Sequence, residues 1–378
     1  MIWGHNLYCT NVIVYCIINL VNKKETGYCA AVKSIDYFRG FIMYLSPWIY
    51  TTNNCNLRCP YCFVENQSDI MSEDVWLAIV EYFINALNTK QLKETVFRLS
   101  GGEPLLVFDT WYEFIPYMRK MINGSHKFHT VVLSNFTLFN ERIARFALEN
   151  EISFSVSLDG TRHSKIDVNG ESTAKLVMEK LRFANYCGLH TTVSTVLNDS
   201  NIGTGEILEL ARFVCSHNFD WLVDSDIYGV HGMEKYEQMY TDMTEAIDYL
   251  IKSGYPMYKF TFNFLNRKCM CGGCAAGSEL FSIATNGDIY PCQTCKGKPL
   301  ANIQNCNDII GTLHNQKLYN VGFNYKLPDV CQPENCPASM LCYGSCKLNM
   351  NPSEDNPKCK LIRRLYEYLD SVGYFYKD

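Results

Sequence analysis

Between positions 48 and 228 the chain alternates short apolar runs with longer amphipathic stretches. Trp48–Thr52, Val96–Ser100, Thr130–Asn135, Ser153–Asp159, Thr191–Leu197 and Trp221–Tyr228 read as strands. Helical periods fill the gaps. Ser72 can N-cap a helix whose first turn holds Glu73 and Asp74, and Val75, Ile79, Tyr82 and Ala86 give that helix one apolar face. Asn140–Asn150, capped by Asn140, and Ala174–Cys187 are further helices of the same kind. Strands that alternate with helices imply parallel pairing through right-handed crossovers. No Gly-x-Gly-x-x-Gly follows the first strand, and each strand ends in a polar cluster. Both features favour a closed or partial barrel over a dinucleotide-binding sheet. The expected class is α/β: a partial (β/α)6 barrel of the TIM type over 46–255, preceded by a small hairpin extension over 1–45 and followed by a cysteine-rich domain over 256–378 ending in a helix.

Composition narrows the chemistry. The chain has 378 residues, 47% of them apolar, enough for a large core. A net charge of −5 with interspersed signs offers no basic patch for nucleic acid. The start, Met1-Ile2-Trp3-Gly4-His5, has no basic n-region, and the apolar stretch from Leu7 to Val21 is broken by Asn11 and Asn19, too short for a bilayer. A cytoplasmic protein without a membrane partner is expected. Nineteen cysteines in such a chain point to metal or redox chemistry rather than disulfides. They are clustered: Cys55, Cys59 and Cys62 form a triplet after the first strand, none occurs between Cys62 and Cys187, and eleven crowd between Cys269 and Cys359.

The triplet, Cys55-Asn56-Leu57-Arg58-Cys59-Pro60-Tyr61-Cys62, has the spacing C-x3-C-x2-C. Three thiolates in one loop can wrap a small inorganic cluster and leave one metal open for catalysis. A zinc site would need a fourth ligand, and the nearest histidines, His5 and His126, are remote in sequence. Ser100-Gly101-Gly102-Glu103-Pro104 ends the second strand about forty residues later. With these two motifs the chain resembles the radical S-adenosylmethionine (SAM) enzymes. The resemblance implies a 4Fe-4S cluster on Cys55, Cys59 and Cys62 that binds SAM, with Tyr61 near adenine and Gly101, Gly102 and Glu103 at the SAM amino group. It also implies small polar residues around the ribose and carboxylate, which here are Ser134 and Asn135 on the third strand and Ser155, Ser157 and Asp159 on the fourth. Relatives commonly place an arginine several residues beyond the Asp-Gly. Here Arg162 comes early and Val168 stands near the expected place.

The tail reads C-x4-C-x5-C-x3-C-x12-C from Cys331 to Cys359, preceded by Cys269, Cys271, Cys274 and Cys292, with Asn286-Gly287 marking a tight hairpin before Cys292. It resembles the SPASM extension of radical SAM enzymes, which holds two auxiliary 4Fe-4S clusters. The resemblance implies a nearer cluster on Cys274, Cys292 and Cys346 with Cys271 as fourth ligand, and a farther one on Cys331, Cys336, Cys342 and Cys359. Structural zinc is the competing reading, and Cys269, Cys295 and Cys306 are surplus.

Enzymes of this architecture mostly modify peptides. The expected function is maturation of a ribosomally made precursor peptide by an oxidative carbon–carbon, ether or thioether crosslink, with a flavodoxin or ferredoxin as electron donor. Anaerobic sulfatase maturases, the alternative, carry an aspartate after the Tyr-Pro-Cys, where this chain has Gln293. Of the two aspartates at the end of the sixth strand, Asp224 and Asp226, one is expected to look into the barrel and act as a base. A non-catalytic, zinc-stabilised peptide-binding protein is the reading from another class.

Overall fold

The computed structural model describes residues 44–124, 127–162, 165–225, 232–265, 276–277, 279–295, 297–314, 328–342 and 353–375. The expected N-terminal hairpin, Asp226, Cys269, Cys271, Cys274 and Cys346 lie outside the described residues. Strand β1 (Tyr44–Thr52) leads to helix α1 (Glu73–Asn88), β2 (Glu94–Gly101), α2 (Phe114–Met121), β3 (Phe128–Ser134), α3 (Glu141–Glu149) and β4 (Ile152–Ser157). There follow α4 (Ala174–Tyr186), β5 (Thr191–Leu197), α5 (Glu206–His217), β6 (Asp220–Ser225), α6 (Met233–Lys252) and β7 (Phe260–Phe262). The expected caps form: Ser72 accepts from the Val75 amide and Asn140 from the Ile143 amide.

From β1 to β7 neighbouring strands pair in parallel and in chain order. The described strands form one ten-stranded sheet in the order β10-β9-β8-β1-β2-β3-β4-β5-β6-β7, whose ends do not pair, so the barrel is partial as expected. One extension was not legible: β8 (Leu280–Ile283) adds in parallel to the free edge of β1, and β9 (Asp288–Tyr290) and β10 (Ala301–Asn302) continue antiparallel from it. The cysteine-rich tail thus begins as part of the same sheet. A second difference concerns β1, which starts before Pro47. Its register with β2 passes from Leu45↔Thr95 to Trp48↔Arg98, and side chains bridge the interval that the missing proline N–H interrupts. There Arg98 Nε donates to Ser46 Oγ at 2.8 Å and Thr95 Oγ1 donates to the Leu45 carbonyl at 2.9 Å.

Period-two alternation sorts the strand residues between two environments. On β4, Ile152, Phe154 and Val156 are buried. Phe154 packs edge-on against Phe136 and Phe139 at 5.2 and 5.4 Å, and Phe139 meets Phe183 of α4 at 6.0 Å, so this face looks toward the helices. Ser153, Ser155 and Ser157 are only half-buried and face the concave interior, as do Ser194 and Val196 of β5. The barrel therefore has an apolar outer layer and a hydroxyl-rich inside. On the far side, helix α8 (Pro357–Ser371) packs along α6 through Arg364–Glu237 and Tyr368–Asp248 contacts, and Tyr374 Oη donates to the Phe260 carbonyl of β7 at 2.9 Å. Between β10 and α8 lies the short helix α7 (Ile309–His314). Among the described residues no helix is long and apolar enough to cross a membrane.

Phe154→Ala should destabilise the fold by about 3–5 kcal/mol, the cost of an unfilled cavity between two rings, as read in chemical unfolding.

Candidate active site

The triplet leaves the end of β1 as a loop whose shape is set by backbone contacts with the end of β2. The Gly102 amide donates to the Thr52 carbonyl at 2.8 Å and the Glu103 amide to the Asn54 carbonyl at 2.9 Å. The approach leaves no space for side chains. A Cβ on Gly101 would sit 2.0 Å from the Thr52 oxygen, and one on Gly102 would sit 2.1 Å from the Asn54 oxygen. Arg58 holds the other side of the loop by donating to the carbonyls of Cys55 and Leu57 at 2.6 and 2.7 Å.

Glu103 joins three strand ends. Fully buried, its Oε1 accepts from the Leu105 amide at 3.0 Å and from Ser134 Oγ at 2.7 Å, and its Oε2 accepts from the Asn135 amide at 2.7 Å. Burial pushes this carboxyl up to about 7, against the pull of those three donors. Ser134 thereby faces Glu103. Asn135 turns its side chain to the triplet: Nδ2 lies 3.8 Å from Cys55 Sγ and 2.9 Å from Asn56 Oδ1. The Leu57 amide also points at Cys55 Sγ, at 3.4 Å. Burial pushes the Cys55 thiol up to about 11 and raises Cys59 as well, while Lys165 pulls Cys59 back down. Loading such thiols with metal releases protons.

Tyr61, expected beside adenine, is held by two partners within the protein. Its hydroxyl donates to Asp159 Oδ2 and accepts from Lys165 Nζ at 2.9 Å, while Lys165 Nζ lies 3.4 Å from Asp159 Oδ2. Asp159 is anchored in turn by the Val196 amide at 2.9 Å. Arg162 is engaged elsewhere: its Nε donates to the buried Glu206 at 2.6 Å. Val168 is 64% exposed. Lys165, between them in sequence, is the cation that reaches the triplet loop. Its spacing from Asp159-Gly160 was visible in the sequence, but its side of the loop was not. Ser155 and Ser157 face the concave interior, and so does Asp224, which pairs in register with Val196 and accepts from Asn263 Nδ2 at 2.7 Å.

The hairpin after β8 brings the tail to the same region. The Gly277 amide donates to the Pro291 carbonyl at 2.7 Å, drawing the chain just past Cys274 toward Cys292. Cys292 is buried, and Ser282 Oγ donates to its carbonyl at 3.1 Å. Tyr50 Oη of β1 donates to the Gln293 carbonyl at 2.8 Å, and Gln293 Oε1 is buried with no partner among the described residues. Cys295 follows Cys292 in the same turn, its amide donating to the Cys292 carbonyl at 3.2 Å, whereas Cys306 lies 3.5 Å from Thr312 Oγ1. Farther along, Cys331, Cys336, Cys342 and Cys359 line one cavity. Among the described residues no three ligating side chains approach closely enough for a single metal ion. Mononuclear zinc would need sulfurs about 3.8 Å apart, from bonds of about 2.3 Å in a tetrahedron.

Gly102→Ala should abolish cluster assembly on the triplet, a loss of about four irons per chain, with an unchanged far-ultraviolet circular dichroism spectrum. The folded protein binds the Glu103 proton more tightly than the unfolded chain does. Its contribution to stability is therefore fully present below pH 4.5 and is lost as the pH rises through about 7. Glu103→Gln should remove that pH dependence and cost about 1–3 kcal/mol, because the new amide turns an N–H toward another donor. Urea unfolding at about pH 5 and about pH 8 reads both effects.

Residues 49–214 match the family model of the Radical SAM superfamily. The cysteine-type anaerobic sulfatase-maturating enzyme of Clostridium novyi (strain NT) is 24% identical over 356 residues, spanning 84% of this chain and 92% of that protein. Native anSMEcpe with bound AdoMet and Cp18Cys peptide shares the fold with a TM-score of 0.70 at 20% identity, covering 87% of this chain and 97% of that one. Streptococcus suis SuiB bound to precursor peptide SuiA gives a TM-score of 0.59 at 16% identity, covering 86% and 78%. The two structures speak for the architecture, and the sequence match spans both the triplet and the Gly-Gly-Glu turn that supports it. Residues 49–214, which hold the triplet loop and the Gly-Gly-Glu turn, carry a radical SAM domain.

Proposed function

We propose that the protein is a maturase that acts on a ribosomally made peptide and installs an oxidative crosslink. A peptide substrate is supported by the likeness to an enzyme that matures sulfatases and to structures holding a Cp18Cys peptide and a precursor peptide. Crosslinking is carried by one observation. Gln293, beside Cys292 and held by Tyr50, presents a buried amide oxygen where the sulfatase maturases are expected to have an aspartate. An amide does not take up a proton at neutral pH, so it cannot serve as their base. Formylglycine formation is the second reading, favoured by the sequence match over 84% of the chain.

The residues of the barrel fit the cofactors. When bound, SAM and a reduced 4Fe-4S cluster supply a 5′-deoxyadenosyl radical, which removes hydrogen from an unactivated carbon. Cys55, Cys59 and Cys62 would hold the cluster, and the Leu57 and Asn135 amides aimed at Cys55 Sγ suit a thiolate ligand. Ser155 and Ser157 offer hydroxyls to SAM from the concave face, and Asp159 with Lys165 fixes the side of the loop that carries Tyr61. Asp224 stands on the same face, held by Asn263, as the candidate base for a substrate proton; Asp226 is the second candidate.

Two auxiliary clusters complete the reading, one on Cys271, Cys274, Cys292 and Cys346 and one on Cys331, Cys336, Cys342 and Cys359. Bound there, they would offer an acceptor for the electron left after hydrogen removal, and a flavodoxin or ferredoxin would supply the first electron.

Anaerobically reconstituted protein should bind about twelve irons with matching sulfide, falling to about eight when Cys55, Cys59 and Cys62 are all replaced by Ala. Zinc in the tail would remove the auxiliary acceptor. Mass spectrometry of the modified peptide separates the two chemistries: a crosslink loses two hydrogens and is blind to hydrazides, whereas formylglycine is an aldehyde that hydrazides trap.

A further inference from the structure

The cavity lined by Cys331, Cys336, Cys342 and Cys359 has a charged wall whose role no sulfur explains. Arg363 lines it with them. It sits one turn beyond Cys359 on α8, so both side chains leave the same face of the helix. Its Nη2 donates to the Val330 carbonyl at 3.2 Å, next to Cys331, which fixes the guanidinium at the cavity. Its Nε is buried and has no acceptor among the described residues. The neighbouring Arg364 behaves as a surface arginine and pairs with Glu237 on α6. One further feature favours negative charge here. Cys359 lies in the first turn of a fifteen-residue helix, where Asn356 caps the Lys358 and Cys359 amides.

We propose that Arg363 is a charge-compensating and positioning residue for the cluster on these four cysteines, donating from Nε to a sulfur and holding its potential up. The inference rests on the iron–sulfur reading of the cavity given above. Four thiolates around an oxidised 4Fe-4S core carry a net charge of about −2, which becomes about −3 when one electron enters. No bond forms or breaks in that step, and no proton is required. A cation at a fixed distance in a medium of low dielectric stabilises the more negative form more strongly. Hydrogen bonds to cluster sulfurs act in the same direction. Arginine keeps its charge at every pH the protein meets, so the bias is permanent. It favours acceptance of an electron from the substrate side, and it cannot be supplied by Ile362, the apolar neighbour on the same helix face.

The test uses full-length protein reconstituted with iron and sulfide, in a background where Cys55, Cys59 and Cys62 are Ala so that only the tail clusters report. Arg363→Gln removes the charge, and Arg363→Lys keeps it without the Nε donor. Dithionite titration followed by electron paramagnetic resonance should show two reduction waves in the parent. One of them should move to a more negative potential in Arg363→Gln and move less in Arg363→Lys, with iron content and the other wave unchanged. If Arg363→Gln takes up too little iron, Arg363→Lys decides alone. A fully iron-loaded variant whose two waves coincide with the parent's overturns the role of Arg363. Zinc, or iron for only one cluster, in the parent overturns the iron–sulfur reading of the cavity itself, which is a distinguishable failure.

Discussion

The site depends on a contact between two stretches of bare backbone. Gly101 and Gly102 lie so close to the carbonyls of Thr52 and Asn54 that even a methyl group would collide. That contact hangs the triplet loop from the end of β2 and fixes where its sulfurs stand relative to the barrel mouth. The two glycines therefore shape the loop, and any side chain in their place would push it off the end of β2. Glu103 extends the constraint by one strand: with both oxygens committed to the start of the turn after β2 and to the end of β3, it ties Asn135 into reach of Cys55. Three strand ends become one rigid rim.

Charge is managed by the same economy of parts. Burial opposes ionisation of Cys55 and Cys59, and each has a donor or a cation nearby. Cys55 receives two N–H groups, and Cys59 receives the field of Lys165. Lys165 is itself placed by Asp159, which is placed by the backbone of β5. A chain of hydrogen bonds thus runs from the middle of the barrel wall to the triplet, and Tyr61 is one of its links. This explains why an aspartate at the end of β4 is almost fully buried without being isolated.

Much of this was legible in the sequence, for identifiable reasons. The strands from β2 to β6 announced themselves by alternation, and the caps at Ser72 and Asn140 by residue type, because both signals are local. Cys55, Cys59 and Cys62 were legible because one loop must hold all three. What escaped notice depends on pairings across the chain. Nothing near Leu280 says that β8 will lie parallel to β1, and the part of β1 before Trp48 depends on Arg98 and Thr95, which are far off in sequence. Arg162 comes earlier than the arginine of relatives and Val168 stands near its place, and only the fold reveals that Glu206 claims Arg162 while Lys165 reaches the triplet loop. Ser134 and Asn135 were found, but their partner Glu103 was read as facing outward to a ligand.

The parallel addition of β8 to β1 carries the last step. β1 ends in the triplet loop, and β8 runs beside it in the same direction, so the turn after β8 emerges at the same rim. Thr285 in that turn bonds Asp69, which also accepts from Asn53 at 2.8 Å, and Tyr50 reaches across to the Gln293 carbonyl. These bonds make the position of Cys292 relative to the triplet a property of one continuous sheet rather than of a hinge between domains. A tether of loops would leave that distance variable by several ångströms, whereas neighbouring strands hold about 4.8 Å between them. A fixed separation between the triplet loop and Cys292 follows from this pairing. The sheet provides it at the cost of no additional contact surface, and it does so on the edge strand that an open barrel would otherwise leave unpaired.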